Sequence, residues 1–250
     1  MPIKRFLKII FSIYLFFNSV SYAQDNKTGS FLLKSTSADI IGEEAAEQYK
    51  VRLDPHEEIT WQIYVPENYD PSNPPGVLLY QTYGTGPNDP LGWRAALEEK
   101  NLILVRLRIG GKLIEGKEML LGVLSLPLLQ SKYNINTSRV YNTAENGCIV
   151  AGLTSKYYAN IFKGSIFVNC VPASWKNDIP EQLELMKQNR YLFIYSPKIL
   201  KSIGIRQTIR RYNEYGINKT KLESTSRLDS GDNLDRRLLN SAIDYLDGIN

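Results

Sequence analysis

Most of the chain consists of short apolar runs that alternate with stretches whose apolar residues recur at the spacing of a helix. Residues 77–80 form one such run, VLLY, which is typical of a strand buried on both faces. Residues 93–100 and 117–133 have apolar positions at helical spacing, although Pro127 is expected to kink or divide the second helix. Further strands are predicted at 102–107, 140–143, 165–169, 191–195 and 221–223, and further helices at 148–160, 180–188, 199–215 and 232–246.

The order of these elements predicts the class of the fold. Strand and helix alternate from residue 77 onward, which is the pattern of an α/β protein with a largely parallel sheet covered on both faces by helices. Residues 48–53 and 59–65 alternate in polarity and flank a turn-like segment, so we expect a hairpin there. We therefore expect a single α/β domain over residues 45–250, with Asp232 capping its closing helix.

The first 23 residues have the organisation of a secretory signal. Basic residues precede an apolar stretch at 9–17, and a small-x-small sequence ends at Ala23, after which we expect cleavage. An uncleaved membrane anchor is the alternative, but the apolar stretch is short for a span of about 20 residues. We therefore expect a secreted or periplasmic protein, with an irregular segment at 24–44 and no membrane span once the signal is removed.

The overall charge does not indicate a class of binding partner. The formal net charge of +4 falls to +1 once the three basic residues among the first 23 are removed, so no excess of positive charge remains to favour nucleic acid. Asp229, Asp232 and Asp235 lack the alternating spacing of a calcium loop. We expect no metal and no other cofactor, and the expected partner is an unidentified small molecule or protein.

The turn between the strand at 140–143 and the next helix has the sequence AENGC, at 144–148. A sharp strand-to-helix turn places its central side chain above the edge of a sheet, and in G-x-S-x-G enzymes that side chain is a nucleophilic serine. The chain has Asn146 at this position. An amide cannot be activated by a base to attack a carbonyl carbon, so the turn argues against this chemistry.

The chain resembles the α/β-hydrolase superfamily, and within it the secreted esterases of the polyhydroxybutyrate depolymerase and feruloyl esterase group. The resemblance covers roughly residues 45–248 and is most specific at 138–147 (SRVYNTAENG) and 160–169 (NIFKGSIFVN). Residues 188–198 resemble the strand that leads to the family's acid, and 239–248 resemble its last helix. This implies an α/β-hydrolase-like, mainly parallel sheet flanked by helices, without a cap domain.

The resemblance also implies positions for a catalytic triad. The nucleophile position is Asn146, the acid position falls at Ile199, and the position of the base falls nearest Asp229. These residues do not match the serine, carboxylate and histidine that a serine hydrolase brings together. The only histidine of the chain is His56, in the predicted hairpin turn far upstream. The triad is therefore degenerate at all three positions.

Several residues near the turn are candidates for lining a pocket. By resemblance, the oxyanion side follows the third strand, where Tyr83 and Gly84 stand near the family's usual His-Gly. Either backbone N–H groups face a pocket there and bind an anion or a carbonyl oxygen, or the glycine serves an ordinary tight turn. Glu145, Asn146 and Gly147 complete the candidate pocket.

Cys148 and Cys170 are the only cysteines. An exported chain meets an oxidising compartment, where a pair of cysteines is more often bridged than free. Neighbouring parallel strands finish at the same edge of a sheet, which would bring both sulfurs together. The alternatives are two unbridged buried cysteines, or Cys148 as a substitute nucleophile, for which no histidine is positioned as a base.

The sequence therefore favours an exported α/β-hydrolase-like protein that is non-catalytic and has a binding or interaction role. The alternative is a carboxylic ester hydrolase, an esterase or depolymerase that uses residues not yet identified. A serine stands near a lysine at 155–156 and at 196–198, as a Ser–Lys arrangement would need, but no S-x-x-K motif occurs.

Overall fold

The computed structural model describes residues 27–82, 90–107, 115–145, 148–172, 179–198, 202–228 and 234–249. Within these ranges, one sheet contains the strands β1 Gly29–Ser35, β2 Ile59–Val65, β3 Gly76–Thr82, β4 Leu102–Leu107, β5 Val140–Glu145, β6 Gly164–Val168, β7 Arg190–Tyr195 and β8 Thr220–Ser224. The helices there are α1 Ser37–Ile41, α2 Glu43–Glu47, α3 Trp93–Lys100, α4 Glu115–Gln130, α5 Cys148–Tyr157, α6 Leu183–Gln188, α7 Ser202–Glu214 and α8 Arg236–Asp247, with a 3-10 turn at Ser226–Leu228.

The sheet is mainly parallel, which confirms the predicted class of fold. Its strand order is β1-β2-β4-β3-β5-β6-β7-β8. The strands from β3 to β8 run parallel, whereas β2 runs antiparallel to both β1 and β4. The order changes direction between β3 and β5, so the turn after β5 lies near the middle of the carboxyl edge of the sheet.

Helices cover both faces of the sheet. On β3, Leu78 packs with residues of α3 and α8, whereas Leu79 packs with residues of α4 and α5 on the other face, because successive side chains of a strand point in opposite directions. Gly164 allows α8 to lie close to β6, since a Cβ atom there would stand 2.8 Å from Cδ2 of Leu246. Burial on both faces explains the uninterrupted apolar runs of these strands.

The predicted hairpin is wrong. The antiparallel partner of β2 is β1, and residues 48–53 form turns after α2. The apparent alternation at 48–53 comes from Tyr49 and Leu53, which lie four residues apart and are both buried in the core. The expectation of an irregular segment at 24–44 also differs from the structure. From residue 29 onward this segment forms the edge strand β1 and the helix α1.

Pro127 does not divide the helix that contains it. α4 runs continuously from Glu115 to Gln130 through this proline. Proline removes one backbone hydrogen bond from a helix, but Leu126 and Leu128 on either side of it are buried. Burial of the apolar side chains of α4 therefore outweighs the missing bond.

The closing helix begins later than predicted. Its N-cap is Asp235, whose carboxylate accepts a hydrogen bond from the backbone N–H of Leu238 at 2.8 Å. Asp232, the predicted cap, lies outside the described residues, as does the predicted signal at 1–23. Among the helices that the structure describes, none combines the length and apolar character needed to cross a membrane.

Candidate functional site

The turn after β5 lies at the point where the strand order changes direction, and the crevice at such a point is the usual place for a ligand in α/β sheets. The predicted site residues that lie outside the described part of the chain are Tyr83, Gly84, Asn146, Gly147, Ile199 and Asp229. Glu145, Cys148 and Cys170 are described. These three residues and the strand ends around them define the candidate site.

Glu145 is the last residue of β5, and it is 2% exposed. Its Oε2 accepts a hydrogen bond from the Tyr80 hydroxyl at 2.9 Å, and its Oε1 accepts one from the backbone N–H of Leu234 at 3.2 Å. A buried carboxylate requires such partners, because burial without them would cost several kcal/mol. Glu145 therefore joins the end of β5 to the residues that precede α8.

Leu234 is held from a second side. Nε1 of Trp93 donates a hydrogen bond to the Leu234 carbonyl oxygen at 2.8 Å, and the Trp93 and Tyr80 rings pack with their centroids 4.8 Å apart. We call Tyr80, Trp93, Glu145 and Leu234 the clasp. All four residues are buried. The clasp fixes Leu234, which follows Asp229, the position that the resemblance gives to the base, by five residues in the sequence.

Arg106 adds a cation to the clasp. Its Cζ atom lies 5.4 Å from the centroid of the Tyr80 ring, and the β3–β4 register places the two residues opposite each other. Arg106 is 7% exposed. Tyr80 thus lies between a buried cation and the buried Glu145 carboxylate, an arrangement in which opposite charges offset part of each other's desolvation cost.

The sequence does not predict a role for Tyr80, Trp93, Arg106 or Leu234. A partial signal was present, because Tyr80 and Glu145 are polar residues near the ends of two buried strands. The position of Leu234 left no signal, since Leu234 takes part only through its backbone N–H and carbonyl groups, which every residue except proline supplies in full.

A disulfide joins Cys148 and Cys170, with their Cα atoms 5.7 Å apart. Cys148 is the first residue of α5, Cys170 follows β6, and both are buried. The bridge confirms the disulfide, which the sequence left open as one of three alternatives for these cysteines. It links the helix after the turn to the neighbouring strand, and it removes the Cys148 thiol from the possible nucleophiles while the bond is intact.

His56 lies far along the sheet from the turn. It precedes β2, which is separated from β5 by β4 and β3, and three inter-strand spacings amount to about 14 Å. The His56 side chain is 71% exposed, and its Nε2 lies 3.7 Å from a carboxylate oxygen of Glu43. The only histidine of the chain is therefore on the outer part of the sheet.

The serines considered for a Ser–Lys arrangement have other contacts. Ser155 is buried, and its Oγ lies 2.6 Å from Oγ of Ser165. Ser196 is also buried, and its Oγ accepts a hydrogen bond from the backbone N–H of Lys198 at 3.3 Å. The described contact between Ser196 and Lys198 thus uses the backbone amide of Lys198 and not its side-chain amine. The described residues contain no cluster of three or more His, Cys, Asp or Glu side chains suited to a metal ion.

No protein-family model and no curated protein sequence matches the chain, but solved structures do. S-formylglutathione hydrolase from Staphylococcus aureus matches with a TM-score of 0.55 and 11% identity over 90% of this chain and 96% of that chain. A thermostable esterase matches with a TM-score of 0.53 and 13% identity over 78% and 58%. Dipeptidyl peptidase 4 from Porphyromonas gingivalis matches with a TM-score of 0.51 and 12% identity over 79% and 34%.

These similarities concern the fold. The aligned region spans 58% of the esterase and 34% of the peptidase, so both are longer than the part they share with this chain. Their names are those of an esterase, an S-formylglutathione hydrolase and a dipeptidyl peptidase. One scaffold supports several reactions, so the reaction has to be argued from the residues at the turn.

Proposed function

We propose that this chain, which has the α/β-hydrolase fold, is an exported protein that does not hydrolyse esters and acts by binding a small molecule or a protein. The observation that carries the proposal is the position of His56, the only histidine of the chain. The only histidine lies away from the junction of β5 and α5, so no imidazole there can serve acyl transfer, which supports a binding role for this fold.

A serine hydrolase needs a general base within about 3 Å of its nucleophile. β2 and β5 are about 14 Å apart in the sheet, and His56 lies beyond the start of β2. Its imidazole is mostly exposed and faces Glu43. Since the chain contains no second histidine, no imidazole is available near Asn146.

The other reactive groups beside the turn are engaged in the structure. Both carboxylate oxygens of Glu145 accept hydrogen bonds within the clasp, and the sulfur of Cys148 is bonded to that of Cys170. These contacts support a structural role for both residues at the carboxyl edge. They offer no substitute for the missing serine.

Export is proposed from the signal-like pattern of residues 1–23, and the disulfide supports it. Disulfides persist in the periplasm and outside the cell, whereas cytosolic thiols are kept reduced. The bridge between Cys148 and Cys170 is buried at the centre of the carboxyl edge, where it stabilises the fold in such a compartment.

Hydrolysis of p-nitrophenyl butyrate tests the proposal. We expect folded protein, verified by near-UV circular dichroism, to release p-nitrophenol no faster than the same protein after heat unfolding. A saturable rate above that background would overturn the proposal and favour the alternative, a carboxylic ester hydrolase with unidentified residues, which the esterase among the structural neighbours favours. The matched control is His56→Gln, since loss of such a rate in this variant would assign the base to His56.

A further inference from the structure

A groove of about 850 Å³ lies at the amino edge of the sheet, at the opposite end from the turn after β5. Its walls come from the starts of β5, β6 and β7 and from the ends of α3, α6 and α8. This volume is in the range of small-molecule sites. The clasp and the disulfide contribute nothing to it.

The carboxylates of the groove are already paired. Arg139 binds Asp247 through two parallel hydrogen bonds of 2.8 and 2.7 Å, the geometry that makes arginine–carboxylate pairs strong. Lys100 lies 2.6 Å from Asp244. The remaining acid, Glu99, accepts hydrogen bonds from Arg236 and Asn240. The three acids therefore neutralise Arg139, Lys100 and Arg236.

Lys163 and Arg190 also line the groove, and among the described residues neither has a carboxylate partner. Their backbones are adjacent at the starts of β6 and β7, where the Arg190 N–H donates to the Lys163 carbonyl oxygen at 3.2 Å, and both side chains line the same groove. Nζ of Lys163 donates to the carbonyl oxygen of Asn160 at 2.5 Å, and the Arg190 guanidinium lies over the Tyr245 ring, 5.5 Å from its centroid. Burial lowers the pKa of Lys163, a cost that a bound anion would offset.

The rim of the groove is partly apolar. Leu185 is 36% exposed and Ile249 is 69% exposed, and both line the groove. An occupant that covered these side chains would remove apolar surface from water, which is favourable. The groove thus combines an apolar rim with Lys163 and Arg190, the two cations that have no carboxylate partner among the described residues.

We infer that this groove binds a small organic carboxylate, with its oxygens held by Lys163 and Arg190 and its apolar body against Leu185 and Ile249. The inference goes beyond the proposed function and is independent of it, because the groove and the turn after β5 lie at opposite edges of the sheet. It assigns a ligand class to the amino edge of the sheet, to which neither the clasp nor the disulfide contributes.

Octanoate binding, measured by isothermal titration calorimetry, tests this inference, with octanamide as the uncharged match and inorganic phosphate as an anion without an apolar body. We expect octanoate to bind in the millimolar range or tighter, and octanamide and phosphate to bind at least about tenfold more weakly. Lys163→Met and Arg190→Met should each weaken octanoate binding by about tenfold. Lys34→Met, which alters an exposed ion pair on β1, is the control and should leave binding unchanged.

Any of three results would overturn the inference. The first is the absence of octanoate binding to the wild type at about 10 mM, and the second is equal octanoate affinity in the wild type and in folded Lys163→Met. Lys163 makes its described hydrogen bond to a backbone carbonyl, so its variant is expected to fold even if Arg190→Met does not. The third is a loss of octanamide affinity in Lys163→Met as large as the loss of octanoate affinity in the same variant, which would contradict a site based on charge.

Discussion

The Glu145 carboxylate accepts a hydrogen bond from the backbone N–H of Leu234, a residue 89 positions later in the chain. This contact ties the strand before the central turn to the start of the closing helix. In a serine hydrolase the same two regions carry the nucleophile and the base. Here a buried hydrogen bond joins the two regions, and both of its partners are described at the carboxyl edge of the sheet.

Replacing Glu145 by alanine tests the clasp. The change leaves the Leu234 N–H and the Tyr80 hydroxyl without this acceptor in a buried place, so we expect the free energy of unfolding to fall by about 2–4 kcal/mol in urea titrations. Exchange of the Leu234 amide hydrogen should also become faster. The matched control, Glu44→Ala at an exposed position, should change stability by less than about 0.5 kcal/mol. Equal effects in the two variants would refute a role for the clasp.

The disulfide should be a substantial source of stability. It closes a loop with a sequence separation of 22, so replacing Cys148 and Cys170 together by alanine should lower the free energy of unfolding by about 2–4 kcal/mol. Dithiothreitol should lower the melting temperature of the wild type towards that of the double variant, and should not affect the variant. Identical wild-type melting temperatures with and without the reductant, in protein shown by mass spectrometry to be reduced, would contradict this expectation.

The stability of the fold should fall at alkaline pH, partly through Tyr141. Burial, together with a 2.6 Å hydrogen bond to Asp247, raises the pKa of Tyr141 well above its ordinary value. The folded state therefore keeps this proton where the unfolded chain loses it. The resulting stability is present below about pH 10 and is lost as the pH rises towards the folded pKa.

Tyr141→Phe should make that loss less steep. The variant should be less stable at pH 7 by about 1–2 kcal/mol, because the hydrogen bond to Asp247 is gone, but the difference from the wild type should shrink above about pH 10. Urea unfolding at a series of pH values measures both quantities. A wild-type advantage that grew with pH would show that the sign assigned to this proton is wrong.

The central strands are predictable from the sequence because both of their faces are buried. The strand predicted at 102–107 coincides with β4, Leu102–Leu107. β1 was missed because it is an edge strand whose exposed positions break the apolar run; Leu32, for example, is 44% exposed. An edge strand needs apolar residues on one face only, and its signal is weaker.

The candidate site was predictable only in part. The sequence at 144–148 located the junction between β5 and α5, and the disulfide was among the alternatives for Cys148 and Cys170. The clasp was not predictable, because it joins residues distant in the chain and depends on the backbone of Leu234. The cations Lys163 and Arg190 carry no sequence motif either, and only the pairing of β6 with β7 brings them together.

The proposal that the chain has no hydrolytic serine is tested most directly by treating the folded wild type and Asn146→Ser with a fluorophosphonate and measuring their intact masses. Because no histidine lies within reach of the turn, restoring the serine alone should not create an activated nucleophile. We predict no adduct in either protein after an exposure that fully labels a known serine esterase. A single adduct on one serine of the folded wild type, absent after heat unfolding, would contradict the proposal that this hydrolase fold is non-catalytic.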